Sequence, residues 1–364
     1  MPSVSEICSN LPRDKRVACR RSTAGLLQRQ WLQELVWGAD QDSAWQVQIW
    51  LGVFPVNWRQ LIDPDLLTQQ MSTIRNNLKG TFGDLLGAMV LDPALQISLN
   101  GPANQQHNPN ENLARELLEL FSLGEGNYTE TDVREAARAL SGYKLNKSRQ
   151  LQLDPRRHDP GMKTILGRTA NFDGVSLASW LSEQPATARN ISLRLWRRLV
   201  GPQPSAQRLG TLASGWRESN LSIPWLMKAI QSAPEAIESK RQGLRLTDPL
   251  EVTARSLRLL GSRHPDAVAI ALRGLRSMGQ MPFEPPSVKG WPVNEQWINL
   301  RRLQERRRTL QALLTDEEVW AGARLPTELS SNITPIKPLN ISLPAKASRD
   351  NLALLFTDPV WQLA

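Results

Sequence analysis

Glu111, Asn112, Arg115, Glu116 and Glu119 lie within nine residues of a 364-residue chain. At 100° per residue they crowd one face of a helix whose other face is Leu113, Leu117, Leu120 and Phe121. A carboxylate beside a cationic side chain suits proton abstraction next to a held anion: Glu111 or Glu116 as base, Arg115 or Lys163 as clamp. The polar loop over residues 100–109 delivers His107, and Asn110 and Asn112 follow it. Downstream, HDPGMK (residues 158–163) sets His158, Asp159 and Lys163 in a glycine-bearing loop. Three titratable groups in six residues exceed what a turn requires. The expected site is therefore a pocket with Glu111, Glu116, His158 and Asp159 as catalytic candidates. Its ligand-binding candidates are His107, Asn110, Asn112, Arg115, Lys163 and Trp291. The opposing account is a solvated face: Glu111 with Arg115 and Arg115 with Glu119 are i,i+4 ion pairs worth a few tenths of a kcal/mol each. Asn and Glu in a first turn also serve capping and the helix dipole.

Metal chemistry finds little support in the spacing. His107 and His158 are far apart in sequence, and His264 precedes Pro265 in a helix-start context, so no set of three or four ligands forms. The loop over 123–128 lacks the alternating carboxylates of a calcium loop. Nucleophile-elbow, Walker and dinucleotide motifs are all missing, and the sequence names no cofactor. Cys8 and Cys19, the two cysteines of the chain, are read as reduced thiols in a polar N-terminal arm.

Positioning these residues falls to helices. Asn108 or Asn110 caps the first and Gly124 stops it. Thr129 with Asp132 forms a capping box for a second helix, which carries Val133, Ala136, Ala137 and Leu140 and ends at Gly142. The 3.6-residue period recurs over 22–37, 185–199, 206–218, 222–232, 248–260, 265–279, 300–314 and 350–356. The fold class is mainly α, a large multi-helical globular protein with one short β-hairpin or extended element near residues 160–170. Residues 1–21 read as a flexible basic arm, 22–315 as the helical domain, and 316–364 as a linker with a C-terminal docking segment. Trp31, Trp45 and Trp50 occupy apolar helical positions and belong to packing rather than to an aromatic cage. The proline-rich stretch PFEPPSVKGWP (282–292) must end in a specific place, with Trp291 either covering the pocket or plugging the core.

Charge supports a rival function. The formal net charge is +9 and the pI about 10.0. Residues 238–308 hold fourteen Lys/Arg against seven Asp/Glu. Arg301, Arg302, Arg306, Arg307 and Arg308 share one helix, and Arg189, Arg194, Arg197 and Arg198 another. Such faces suit nucleic acid, an acidic protein partner or an anionic membrane surface. Two readings therefore stay open. One is a pocket for a small polar or anionic ligand, used by a hydrolase, a transferase or a simple binder. The other is a non-enzymatic module whose basic helices bind an acidic partner. No run of about eighteen apolar residues appears, and residues 1–21 lack a secretory h-region, so a cytoplasmic protein without a transmembrane segment is expected.

Three motifs together resemble the bacterial domain of unknown function 1800 family. Asn110-Glu111-Asn112, Ala114-Arg115-Glu116-Leu117 and Glu119 are similar to its NENxARELxE pattern. His158-Asp159, Gly161 and Lys163 resemble its HDxGxK loop, and Pro285-Pro286, Val288 and Gly290-Trp291 its PPxVxGW loop. The resemblance spans roughly 25–313 and implies an all-helical fold without implying an activity. Relatives often carry WHNHF where this chain has Trp50-Leu51-Gly52-Val53-Phe54, so any role of those two imidazoles is lost here.

Overall fold

Leucine and alanine at helical spacing produce helices wherever a Ser, Thr, Asp or Asn cap can begin one. The computed structural model describes residues 8, 11–61, 63–146 and 148–364. Helices make up 59% of it, with only two-stranded sheets beside them, so the fold is mainly α. The N-terminal elements are α1 (Arg13–Trp37), α2 (Gln41–Leu51), α3 (Asp65–Asn77), α4 (Phe82–Val90) and α5 (Pro93–Ser98). The motif helices follow as α6 (Asn112–Glu119) and α7 (Glu130–Ala139). Then come α8 (Gly174–Ser182), α9 (Pro185–Leu199), α10 (Ala206–Glu218), α11 (Ile223–Gln231) and α12 (Pro234–Gln242). The chain closes with α13 (Pro249–Leu260), α14 (Pro265–Met278), α15 (Leu300–Thr315), α16 (Glu317–Ala321) and α17 (Arg349–Thr357).

Helix α4 lies along α8, α9 along α10, and α14 along α15. Trp50 stacks on Phe54 and Phe82, and Phe82 meets Trp216. With Trp31, Trp196, Trp297 and Trp361 also fully buried, these tryptophans form core rather than a cage.

The hairpin expected near 160–170 is β3 (Lys163–Ile165) paired with β4 (Arg168–Ala170). Two further antiparallel pairs exist: β1 (Tyr143–Leu145) with β2 (Leu151–Leu153), and β5 (Glu328–Leu329) with β6 (Ala345–Lys346). The second of these folds back the proline-rich stretch read as a linker.

Three expectations need correcting. Helix α1 starts at Arg13 rather than Ser22, so residues 13–21 are helical; Arg, Lys and Ala favour helix, and charge alone had suggested a loose arm. Cys8 and Cys19, read as reduced, form a disulfide with Cα atoms 5.6 Å apart. Their proximity comes from α1 carrying Cys19 back beside Cys8, which sequence distance does not reveal. Oxidising compartments sustain such bonds, so the disulfide lends the cytoplasmic placement no support. Arg306, counted among the outward arginines of α15, is 2% exposed. Its Nη1 donates to Gln362 Oε1 at 3.1 Å, and burial lowers its pKa to about 10.

Among the described residues no helix is long and apolar enough to cross a membrane. The C-terminal segment closes on α13 and the turn before it. Thr247 N donates to Gln362 O (2.8 Å), Arg255 Nη1 to Leu363 O (3.0 Å) and Trp361 Nε1 to Ser256 Oγ (2.9 Å).

Asp92 caps the helix that leads into the loop before α6. Its Oδ1 accepts from Leu95 N at 2.9 Å, while its buried Oδ2 has no partner. Burial raises its pKa from 3.8 to about 7. The folded chain thus keeps a proton that the unfolded chain releases above about pH 4. The stability this provides is full below that point and is lost as pH rises through about 7. Melting temperature is expected to fall over this window in the wild type, and less steeply in Asp92→Asn. Parallel curves for the two proteins would refute the assignment.

Candidate functional site

The HDxGxK loop is an interlock against α7. Gly142, at φ +83°, lets the loop approach its backbone closely. His158 is buried, its Nδ1 2.9 Å from Ser141 O, and Ser141 Oγ accepts from Asp159 N at 2.9 Å. Arg138 grips Asp159 through Nε to Oδ2 (2.7 Å) and Nη2 to Oδ1 (3.2 Å), which holds that carboxyl below its usual range. Its Nη1 also meets Glu135 at 2.9 Å. Lys163 is fully buried; its Nζ donates to Asp159 O (2.6 Å) and Asn171 Oδ1 (3.1 Å), and burial pushes its pKa down. Asp132, the capping residue of α7, accepts from Leu166 N at 2.7 Å. Asp159 and Lys163 therefore direct their polar atoms into pinning the β3–β4 hairpin.

The 100–109 loop does meet this region, through Gln106 N to Arg157 O (2.8 Å) and Arg157 Nη2 to Pro102 O (3.1 Å). His107 is exposed beside it. Asn110 Oδ1 accepts from Asn112 N (3.1 Å), and Asn112 Nδ2 donates to Leu99 O (3.2 Å), so both shape the entry to α6. Arg115 holds Glu130 with two 2.7 Å hydrogen bonds and Glu111 at 3.4 Å. Glu130 had no sequence signal, being fifteen residues away. The same guanidinium raised as an anion clamp is thus already neutralised.

Glu116 and Glu119 face elsewhere. Lys289 Nζ lies 3.5 Å from Glu119 Oε1, and Tyr128 Oη donates to Glu119 Oε2 at 3.1 Å. Glu116 has its pKa raised, first by burial and then by Glu119, with Lys289 opposing. No hydrogen bond or ion pair among the described residues joins this group to His158, Asp159 or Lys163. The motif residues are therefore distributed over three clusters rather than one.

The PPxVxGW loop packs on the segment where relatives carry their histidines. Gly290 sits at φ +87°, and a β carbon there would lie 2.8 Å from Gly52 O. Only glycine allows that approach. Between the two segments is a cavity of about 440 Å³, walled by Val53, Trp291, Arg194, Arg197, Arg198 and Lys289 among others. Arg194 donates to Leu120 O and to Gly52 O (3.4 Å). It has no carboxylate partner among the described residues, and burial lowers its pKa to about 10. Arg198 lies 3.3 Å from Asp248 Oδ2, and Arg197 meets Gln203 Oε1 at 2.9 Å. Leu51 and Val53, standing where the imidazoles would be, are each 3% exposed.

Sequence reasoning noted the arginines of α9 as a basic face but did not place them in a site. The available signal was their spacing, since 194, 197 and 198 fall on one side of a helix. Among the described residues no group of three or more His, Cys, Asp or Glu could hold a metal ion.

A family model described as protein of unknown function (DUF1800) matches residues 4–363. No curated protein and no solved structure matches the chain.

Proposed function

Because the chain belongs to the DUF1800 family over nearly its whole length, and that membership carries no activity with it, we propose its role from the cavity: it binds a small anionic molecule there. The observation that carries this reading is Arg194, a partly buried guanidinium without a carboxylate partner among the described residues, in a wall shared with Arg197, Arg198 and Lys289. A buried charge is costly unless it is paired. A carboxylate, phosphate or sulfate entering the cavity would supply the counter-charge with bidentate geometry. The volume is that of small-molecule sites, and Val53, Leu195 and Trp291 offer an apolar flank. The anion clamp thereby moves from Arg115 and Lys163 to Arg194 and Lys289. Glu116, half-buried and electrostatically coupled to Lys289, would be the base if the ligand is turned over.

The test is calorimetric titration with phosphate, sulfate and small dicarboxylates. Arg194→Met is expected to weaken binding about tenfold or more, from loss of a charged hydrogen bond. Its thermal stability should be held, since the partly buried charge that is removed has no carboxylate partner among the described residues. Arg115→Met should bind as the wild type does. Absence of saturable binding, or an Arg194→Met protein that binds normally, would overturn the reading.

A further inference from the structure

Beside the cavity, the chain between the PPxVxGW loop and α15 exposes two large apolar side chains within three residues, Ile298 at 61% and Leu300 at 74%. They flank Asn299, whose Oδ1 accepts from Arg301 N (3.0 Å) and Arg302 N (3.4 Å) and so starts α15. Helical geometry then puts Leu300, Arg301, Gln304, Arg307 and Arg308 on the outward face, opposite the buried Thr309, Leu310 and Leu313. Arg301 and Arg307 are exposed, and neither has a carboxylate partner among the described residues. Arg308 is paired with the half-buried Glu305 at 2.7 Å, and Glu295 is an exposed acid of this stretch. Gln296 reaches the cavity wall, where Arg197 and Lys289 extend the positive surface.

Isolated apolar side chains on a surface need no explanation, but two within three residues, beside exposed arginines that have no carboxylate partner among the described residues, do. Two side chains fall well short of a stable protein interface, and a polynucleotide would leave them in water. An anionic bilayer satisfies both features, with hydrocarbon for the apolar tips and phosphate for the guanidinium groups. We propose that this surface docks the protein on an anionic lipid bilayer, with Ile298 and Leu300 entering the interface and Arg301, Arg307 and Arg197 meeting headgroup phosphates. The docking does not depend on occupation of the cavity.

Co-sedimentation of the full chain with phosphatidylcholine vesicles, with and without phosphatidylglycerol, tests this. Binding is expected only with phosphatidylglycerol, and is expected to weaken at high salt through screening. Ile298→Ser with Leu300→Ser should lower the partition coefficient about tenfold, as should Arg301→Gln with Arg307→Gln. All four side chains are exposed, so both variants should keep the wild-type melting temperature. Arg194→Met should bind vesicles normally, which separates docking from the cavity reading; a loss there would move the headgroup into the cavity and overturn the surface. Equal binding to neutral and anionic vesicles would also overturn it, as would an apolar variant that partitions like the wild type. So would binding of a random RNA that the apolar variant retains while vesicles are ignored.

Discussion

Gly142→Ala is expected to cost about 3–5 kcal/mol of stability, through a positive φ forced on alanine and through steric overlap. The overlap is with backbone: the new β carbon would meet His158 N at 2.5 Å and His158 Cα at 2.7 Å, which no rotamer change can relieve. Gly142 also donates to Asn104 O and accepts from Asp154 N, both at 2.9 Å, so it cannot drift outward without losing both. Moving the loop would part Asp159 from Arg138 and strip the buried Lys163 of its acceptors. Urea denaturation of the two proteins measures the difference. A cost under about 1 kcal/mol, typical of surface changes, would mean that the interlock does not form.

Trp291→Ala is expected to cost a similar amount, about 3–5 kcal/mol. The sequence leaves Trp291 as either a pocket rim or a core plug. At 8% exposure it is a plug, yet it also walls the cavity. Both properties should therefore fail together: denaturation at lower urea, and anion binding lost. Lys289→Ala provides the contrast, because a side chain 69% exposed can be removed with stability intact while binding weakens. A Trp291→Ala protein as stable as the wild type would return Trp291 to the rim.

Local chemistry explains what the sequence revealed. The capping box of Thr129 with Asp132 opens α7 as read, and His264 starts α14, because each cap depends on a few neighbouring residues. What stayed hidden depends on tertiary packing. An arginine at a helical position looks solvated whether it points outward like Arg307 or inward like Arg306, and only the neighbouring helices decide. Lys163 resembled an anion clamp because its acceptors, a backbone carbonyl and Asn171, carry no motif. Arg194 was legible as basic but not as the wall of a cavity, since the Gly290 loop that covers that cavity arrives almost a hundred residues later.

The strap formed by Trp361, Gln362 and Leu363 has a consequence in time. Its hydrogen bonds close onto Thr247, Arg255 and Ser256, partners 105 to 115 residues earlier. Contacts of that separation are slow to form, because the intervening loop must close first. A chain synthesised from its N-terminus therefore carries α13 and α15 with their inward guanidinium groups uncapped, and the slot for Trp361 open, until residues 361–363 emerge. During that interval apolar surface on both helices faces water, where partly folded chains aggregate. Completion of this core thus waits on the 361–363 strap, and the helices that fold early must wait for it.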